Sequence, residues 1–239
     1  MALDDVVAHL EDLRKRLLIS IASFFFVSVI CYFFSSTIIE VLIEPLKQSQ
    51  NAKLIFQTPH EAFFIHLQVA GFVGFLITFP LMLFQFWLFV SPGLYPKEKK
   101  IIFPLIFVSI LLFAIGAAVA FYAVIPFCLQ FLLGFQTASL QPYIAIDPYF
   151  SFLFTLTITF GILFDFPVII LGLVGLRVLS SQLLILWRRW IVVAIFIVSA
   201  ILTPADPVSQ ILLALPLLIL FEITVFFSKI IERKQVQKS

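Results

Sequence analysis

Apolar residues run along this chain in long blocks rather than in alternation. Stretches with almost no charge recur between short polar clusters, at roughly 17–35, 68–90, 101–127, 150–175, 190–203 and 208–228. Crossing the hydrocarbon core takes about 20 helical residues at about 1.5 Å each, and most of these blocks are long enough. A membrane β-barrel would alternate apolar and polar positions, whereas these blocks are apolar all round. The pattern predicts an all-α membrane protein with six transmembrane helices, residues 1–239 forming one integral membrane domain. Composition agrees: 62% of residues are hydrophobic and only 12% charged, about half the charge of an ordinary soluble domain. The first block follows "LDDVVAHLEDLRKRL" and is closed by no small-residue cleavage site, so it is expected to stay in the mature chain rather than leave as a signal peptide.

Where the charges sit predicts an orientation. Arg14, Lys15 and Arg16 precede the first block; Lys97, Lys99 and Lys100 lie between the second and third; Arg177, Arg188 and Arg189 between the fourth and fifth; and Lys229, Arg233, Lys234 and Lys238 follow the last. The other side holds only Lys47 and Lys53. By the positive-inside rule both termini are expected to be cytoplasmic. Between Arg189 and Pro204 lie about 14 residues, which reach roughly 21 Å and fall short of the bilayer core, so the fifth helix is expected to be short, and the sixth with it. Pro80, Pro126, Pro167 and Pro216 fall in or at the ends of blocks, where each removes a backbone hydrogen bond and favours a kink. Cys31 and Cys128 lie in apolar blocks and read as packed thiols.

Asp165 is the one carboxylate inside "FGILFDFPVIILG". A carboxylate at mid-helix costs about 2.5 to 3.5 kcal/mol on insertion scales, so it should face protein, water or a polar partner. It either caps the kink at Pro167 or lines a groove. On the cytoplasmic side, "HLEDLRKR" and "YPKEKK" mix acids with bases. The basic residues serve topology, but acids do little for it, and Glu11, Asp12 and Glu98 need another account. One is pairing on the helix surface, Glu11 with Lys15 and Asp12 with Arg16; the other is binding a cationic ligand. On the outer side, Asp206 in "LTPADPVSQ" suits a helix cap, while Gln210 suits a hydrogen bond between helices. Glu222 either reaches the interface or pairs with Lys229. His9, His60 and His66 have no metal spacing, and neither a G-x-S-x-G elbow nor a phosphate-cradling loop is present, so no enzyme, cofactor or metal is expected. A carrier of small solutes coupled to protons or ions, titrating Asp165 and Glu222, is the competing class.

Six stretches in order, "HLEDLRKRL", "EPL", "PLMLFQFWLFVSPGLYPKEKK", "FGILFDFP", "LTPADPVSQILLALP" and "FEITVFF", resemble the TatC family, the multi-spanning subunit of the twin-arginine protein translocase. The resemblance covers nearly the whole chain. It implies a cupped, glove-like bundle that recognises signal peptides bearing an Arg-Arg pair and helps to export folded proteins. It also implies single-span partner subunits of the TatA/TatB type and assembly with them as an oligomer within the lipid of a bacterial cytoplasmic membrane, while the net charge of +2 suggests no nucleic-acid partner. Carried over by position, the family's N-terminal acid falls on Asp12, with Glu11 beside it, its basic partner on Arg14, and the acid of the first cytoplasmic loop on Glu98. Pro45, Phe89, Asp206 and Gln210 match further family positions, and with Glu222 are candidates for structural or partner-subunit contacts. Aspartate stands at 12 and 165 where the family commonly has glutamate, one methylene shorter in reach.

Overall fold

The structure, a computed structural model, describes the chain except residues 1, 48–52, 91–95, 135–142, 177, 204–206 and 237–239, with backbone alone for 2–8, 53, 90, 96–103 and 234–236. Its elements in order are α1 (Ala2–Phe33), α2 (Ser35–Leu42), α3 (Glu44–Lys47), β1 (Lys53–Ile55), α4 (Glu61–Val90), α5 (Pro96–Val119), a π-helical turn (Ala120–Val124), α6 (Ile125–Leu133), β2 (Tyr143–Ala145), α7 (Ile146–Gly175), α8 (Ser181–Leu202) and α9 (Pro207–Val236). Among the described residues, six helical stretches are long and apolar enough to cross a membrane: His9–Phe33, Glu61–Phe89, Pro104–Leu133, Ile146–Gly175, Ser181–Leu202 and Pro207–Arg233. Some hydroxyls inside these spans are satisfied by their own helix. Thr78 donates to the Gly74 carbonyl at 2.7 Å and Thr224 to the Leu220 carbonyl at 2.7 Å, so neither needs water.

The helix-length expectation for the last two spans is corrected. α8 has 22 residues and α9 has 30. Ser180 caps α8, its hydroxyl accepting from the Leu183 N–H at 3.3 Å, and Arg188 and Arg189 ride inside the helix instead of ending it. Only the charge-free part is short. A side chain from the far end of α9 strengthens this start: Glu232 accepts from the Ser181 N–H at 3.1 Å and also from the Ser181 hydroxyl. A carboxylate on unsatisfied helical N–H groups is favoured by the helix dipole as well.

Prolines lie inside four helices, Pro80, Pro104, Pro167 and Pro216. Pro126 is accommodated differently. It follows the π turn, where the Ile125 N–H reaches the Ala120 carbonyl five residues back. A wider turn there relieves the clash a proline ring would make with the preceding turn, and the third span stays continuous. The all-helical expectation missed one small feature, a parallel pairing of β1 with β2 in register Lys53 with Tyr143 and Ile55 with Ala145.

The chain divides into two compact units, residues 1–110 with 138–154, and residues 111–137 with 155–239. In the first, α1 packs along α4 closely enough that a Cβ on Gly74 would lie 2.2 Å from the Ser28 hydroxyl and 3.0 Å from its Cα. Phe72 stacks on Phe154 at 4.3 Å, and the Tyr149 hydroxyl donates to the Leu42 carbonyl at 2.8 Å. In the second, a Cβ on Gly116 would meet the Phe160 carbonyl at 2.7 Å, and one on Gly161 would meet the Phe113 ring at 2.5 Å, so α5 and α7 approach through reciprocal glycine and phenylalanine positions. Val174, Leu184, Phe221 and Val225 form the core where α7, α8 and α9 meet.

Candidate functional site

The polar residues of "HLEDLRKR" lie on α1 beside the C-terminal end of α4. Helical spacing brings Asp12 and Arg16 to one face, with the acid on the N-terminal side, the favourable order. The Arg16 Nε donates to Asp12 Oδ2 at 2.7 Å, with the side chains 22% and 36% exposed respectively. At its other end, Arg16 Nη1 lies 3.5 Å from Gln85 Oε1 on α4, at the limit of a hydrogen bond. One turn before Asp12, the His9 ring stacks on Phe89 at 4.4 Å. Asp12 and Phe89, two of the positions singled out in the sequence, thus belong to one local arrangement. Arg16, Gln85 and His9 complete it and were not singled out as site residues. The i, i+4 spacing signals Arg16; nothing in the sequence alone signals Gln85 or His9, whose contacts cross from one helix to another.

Glu11 and Arg14 are exposed on the same helix. The expected ion pair of Glu11 with Lys15 does not form among the described residues, which hold the Asp12 pair instead. Glu98 lies in the first turn of α5, and its side chain falls outside the described residues. Asp206 also lies outside them. Pro45 is buried in α3, next to Leu46.

In the second unit, Gln210 Nε2 donates to the Phe196 carbonyl at 3.0 Å and ties α9 to α8. Glu222 pairs with Arg188 on α8, Oε1 to Nη2 at 2.5 Å, rather than with Lys229. That pairing corrects the sequence reading, which looked along the helix where the partner lies on its neighbour. Asp165 is 6% exposed, so protein covers its carboxyl. An apolar recess of about 240 Å³ opens between α7, α8 and α9, lined by Leu163, Phe166, Pro167, Ile191, Ile195 and Phe221 among others. Asp165 is not part of its lining.

Chemically, the α1–α4 arrangement offers one carboxylate already holding a guanidinium, beside an amide and a stacked ring pair. The carboxylate is an acceptor suited to a cationic donor. A family model described as "Sec-independent protein translocase protein (TatC)" matches residues 8–216. The Sec-independent protein translocase protein TatC of Magnetococcus marinus is 39% identical over 235 residues, covering 98% of this chain and 87% of that protein. Its counterpart in Aquifex aeolicus is 40% identical over 236 residues, covering 97% of this chain and 98% of that protein. A crystal structure described as "Twin Arginine Translocase Receptor- TatC" matches at a TM-score of 0.83 with 39% identity, covering 93% of this chain and 99% of that one.

Proposed function

Because this chain belongs to the TatC family of Sec-independent protein translocase proteins, we propose that it is the signal-peptide receptor and scaffold subunit of a twin-arginine translocase, a multi-pass membrane protein and not an enzyme. The observation that carries this is the likeness along the full length, in sequence and in fold, to a protein described as the twin-arginine translocase receptor. The chain passes the membrane six times with both termini in the cytoplasm, a reading that the distribution of its lysines and arginines supports. Its single-span partners, of the TatA/TatB type, dock in the membrane near Gln210 and Asp206.

Signal-peptide arginines bind at the cytoplasmic carboxylates of Asp12 and Glu98, with Glu11 close by. A guanidinium presents a planar fork that matches both oxygens of a carboxylate, which an ammonium cannot do. That difference accounts for recognition of an Arg-Arg pair. Full-length protein in detergent should therefore capture a synthetic signal peptide with Arg-Arg better than a matched Lys-Lys peptide. Glu98→Ala should weaken capture about tenfold, as loss of a hydrogen bond between charged groups implies, and Asp12→Ala should do so by less, with membrane insertion unchanged for both. Equal capture of the two peptides by the unmodified protein would refute the receptor reading.

A further inference from the structure

Asp12 is not an empty acceptor. It is held by a guanidinium from its own helix, and we propose that Arg16 is an internal competitor for the arginine site at Asp12, setting how strong a cation must be to bind there. This rests on the reading of Asp12 as a binding acid. The inference comes from the geometry of the pair. Arg16 uses its Nε, a single donor, on Oδ2 at 2.7 Å, while its Nη1 is turned toward Gln85 on α4 at 3.5 Å. With its Nε on Asp12 and its Nη1 turned toward Gln85, the side chain has already lost some rotamer freedom.

Oδ1 of Asp12 accepts no hydrogen bond among the described residues, so an incoming cation has two routes. It can share the carboxylate through Oδ1, beside the positive charge of Arg16. Or it can take both oxygens and strip Arg16 from Oδ2. A guanidinium gains a second parallel hydrogen bond by stripping, which offsets the lost internal pair. An ammonium gains no such fork and is left sharing against a like charge. Arg16 therefore acts as a threshold: it lowers affinity for every cationic ligand at Asp12 and leaves bidentate binders least affected. Gln85 supports it by giving the displaced guanidinium an anchor on the neighbouring helix.

The test measures affinity of the purified full-length chain for an Arg-Arg signal peptide at physiological ionic strength, where charges more than about 8 Å apart are largely screened. Arg16→Gln should tighten binding about two- to threefold, in keeping with the modest strength of partly exposed i, i+4 pairs. In an Asp12→Asn background the same change should give no gain. A Lys-Lys peptide should gain more from Arg16→Gln than the Arg-Arg peptide does. Should Arg16→Gln insert poorly, Arg16→Lys preserves the charge that directs topology, and its gain must depend on Asp12 in the same way. Unchanged or weaker binding by Arg16→Gln, or an equal gain with and without Asp12, would overturn the competition. If Asp12→Asn and Glu98→Gln both bind the Arg-Arg peptide like the unmodified protein, the reading of the site itself fails, and the competition with it.

Discussion

Asp12 and Asp165 are aspartates on membrane-crossing helices, held in opposite ways. Asp12 is partly exposed and met by Arg16 one turn along its own helix, a partner that can leave and be replaced. Asp165 is 6% exposed, and the surrounding helices enclose it. A carboxylate in the first setting can exchange ligands at a cost of about 1 kcal/mol or less, since exposed ion pairs contribute little. One in the second cannot exchange without opening the protein, because a buried polar group left unmade costs several times more. The pair teaches that burial decides whether a carboxylate can exchange partners or is held in place.

The sharpest way to break the contrast is to disturb the enclosure. A Cβ on Gly116 would lie 2.7 Å from both the Phe160 carbonyl and the Phe164 Cβ, so backbone would have to move. Gly116→Leu should destabilise the second unit by more than about 3 kcal/mol, beyond the usual cost of an overpacked core. Thermal unfolding in detergent should fall accordingly or yield no folded protein. Gly71 has nothing within 4 Å of an added Cβ, and Gly71→Ala should be tolerated.

Asp165→Leu comes next and separates architecture from activity. Removing one buried hydrogen-bonding group should alter stability by no more than about 1 to 3 kcal/mol, and an apolar replacement of similar size offsets part of that. Insertion is therefore expected to survive while export of a folded reporter falls, because the helix loses its one carboxyl at depth. Fractionation of cells carrying the reporter checks this. Normal export would reduce Asp165 to a packing residue.

Much of this was readable in the sequence, and the failures have physical causes. Six blocks gave six helices, since apolar length alone dictates a span. Their ends moved because helices run on through amphipathic and charged residues that hydropathy excludes: α8 starts at Ser181, just after its Ser180 cap, well before the apolar block that begins after Arg189. The pairing of Asp12 with Arg16 was legible because it is local. That Gln210 bonds between helices was readable as well, though not that its partner is the Phe196 carbonyl; Arg188 with Glu222 and Glu232 with Ser181 were not readable, since each joins two helices whose mutual rotation no periodicity reports. The three-residue strands β1 and β2 carry too little pattern to be seen, and they exist because tertiary structure brings two loops together.

The smallest effect belongs to Glu222, which tests whether exposure or location sets the difference. It lies in the same unit as Asp165, so if the unit mattered most, its loss should be costly. Yet Glu222 and Arg188 are 47% and 59% exposed, more so than the exchangeable pair at Asp12. Exposed pairs gain little from attraction and give back part of it in side-chain entropy. Glu222→Gln should therefore change stability by less than about 1 kcal/mol, a shift below about 4 °C in Tm for a chain of this size. It should also leave export intact, which a carrier titrating that carboxylate would not. A larger loss would mean that Arg188, stripped of its partner, meets lipid rather than water, and that the Arg188–Glu222 pair is anchored at membrane depth.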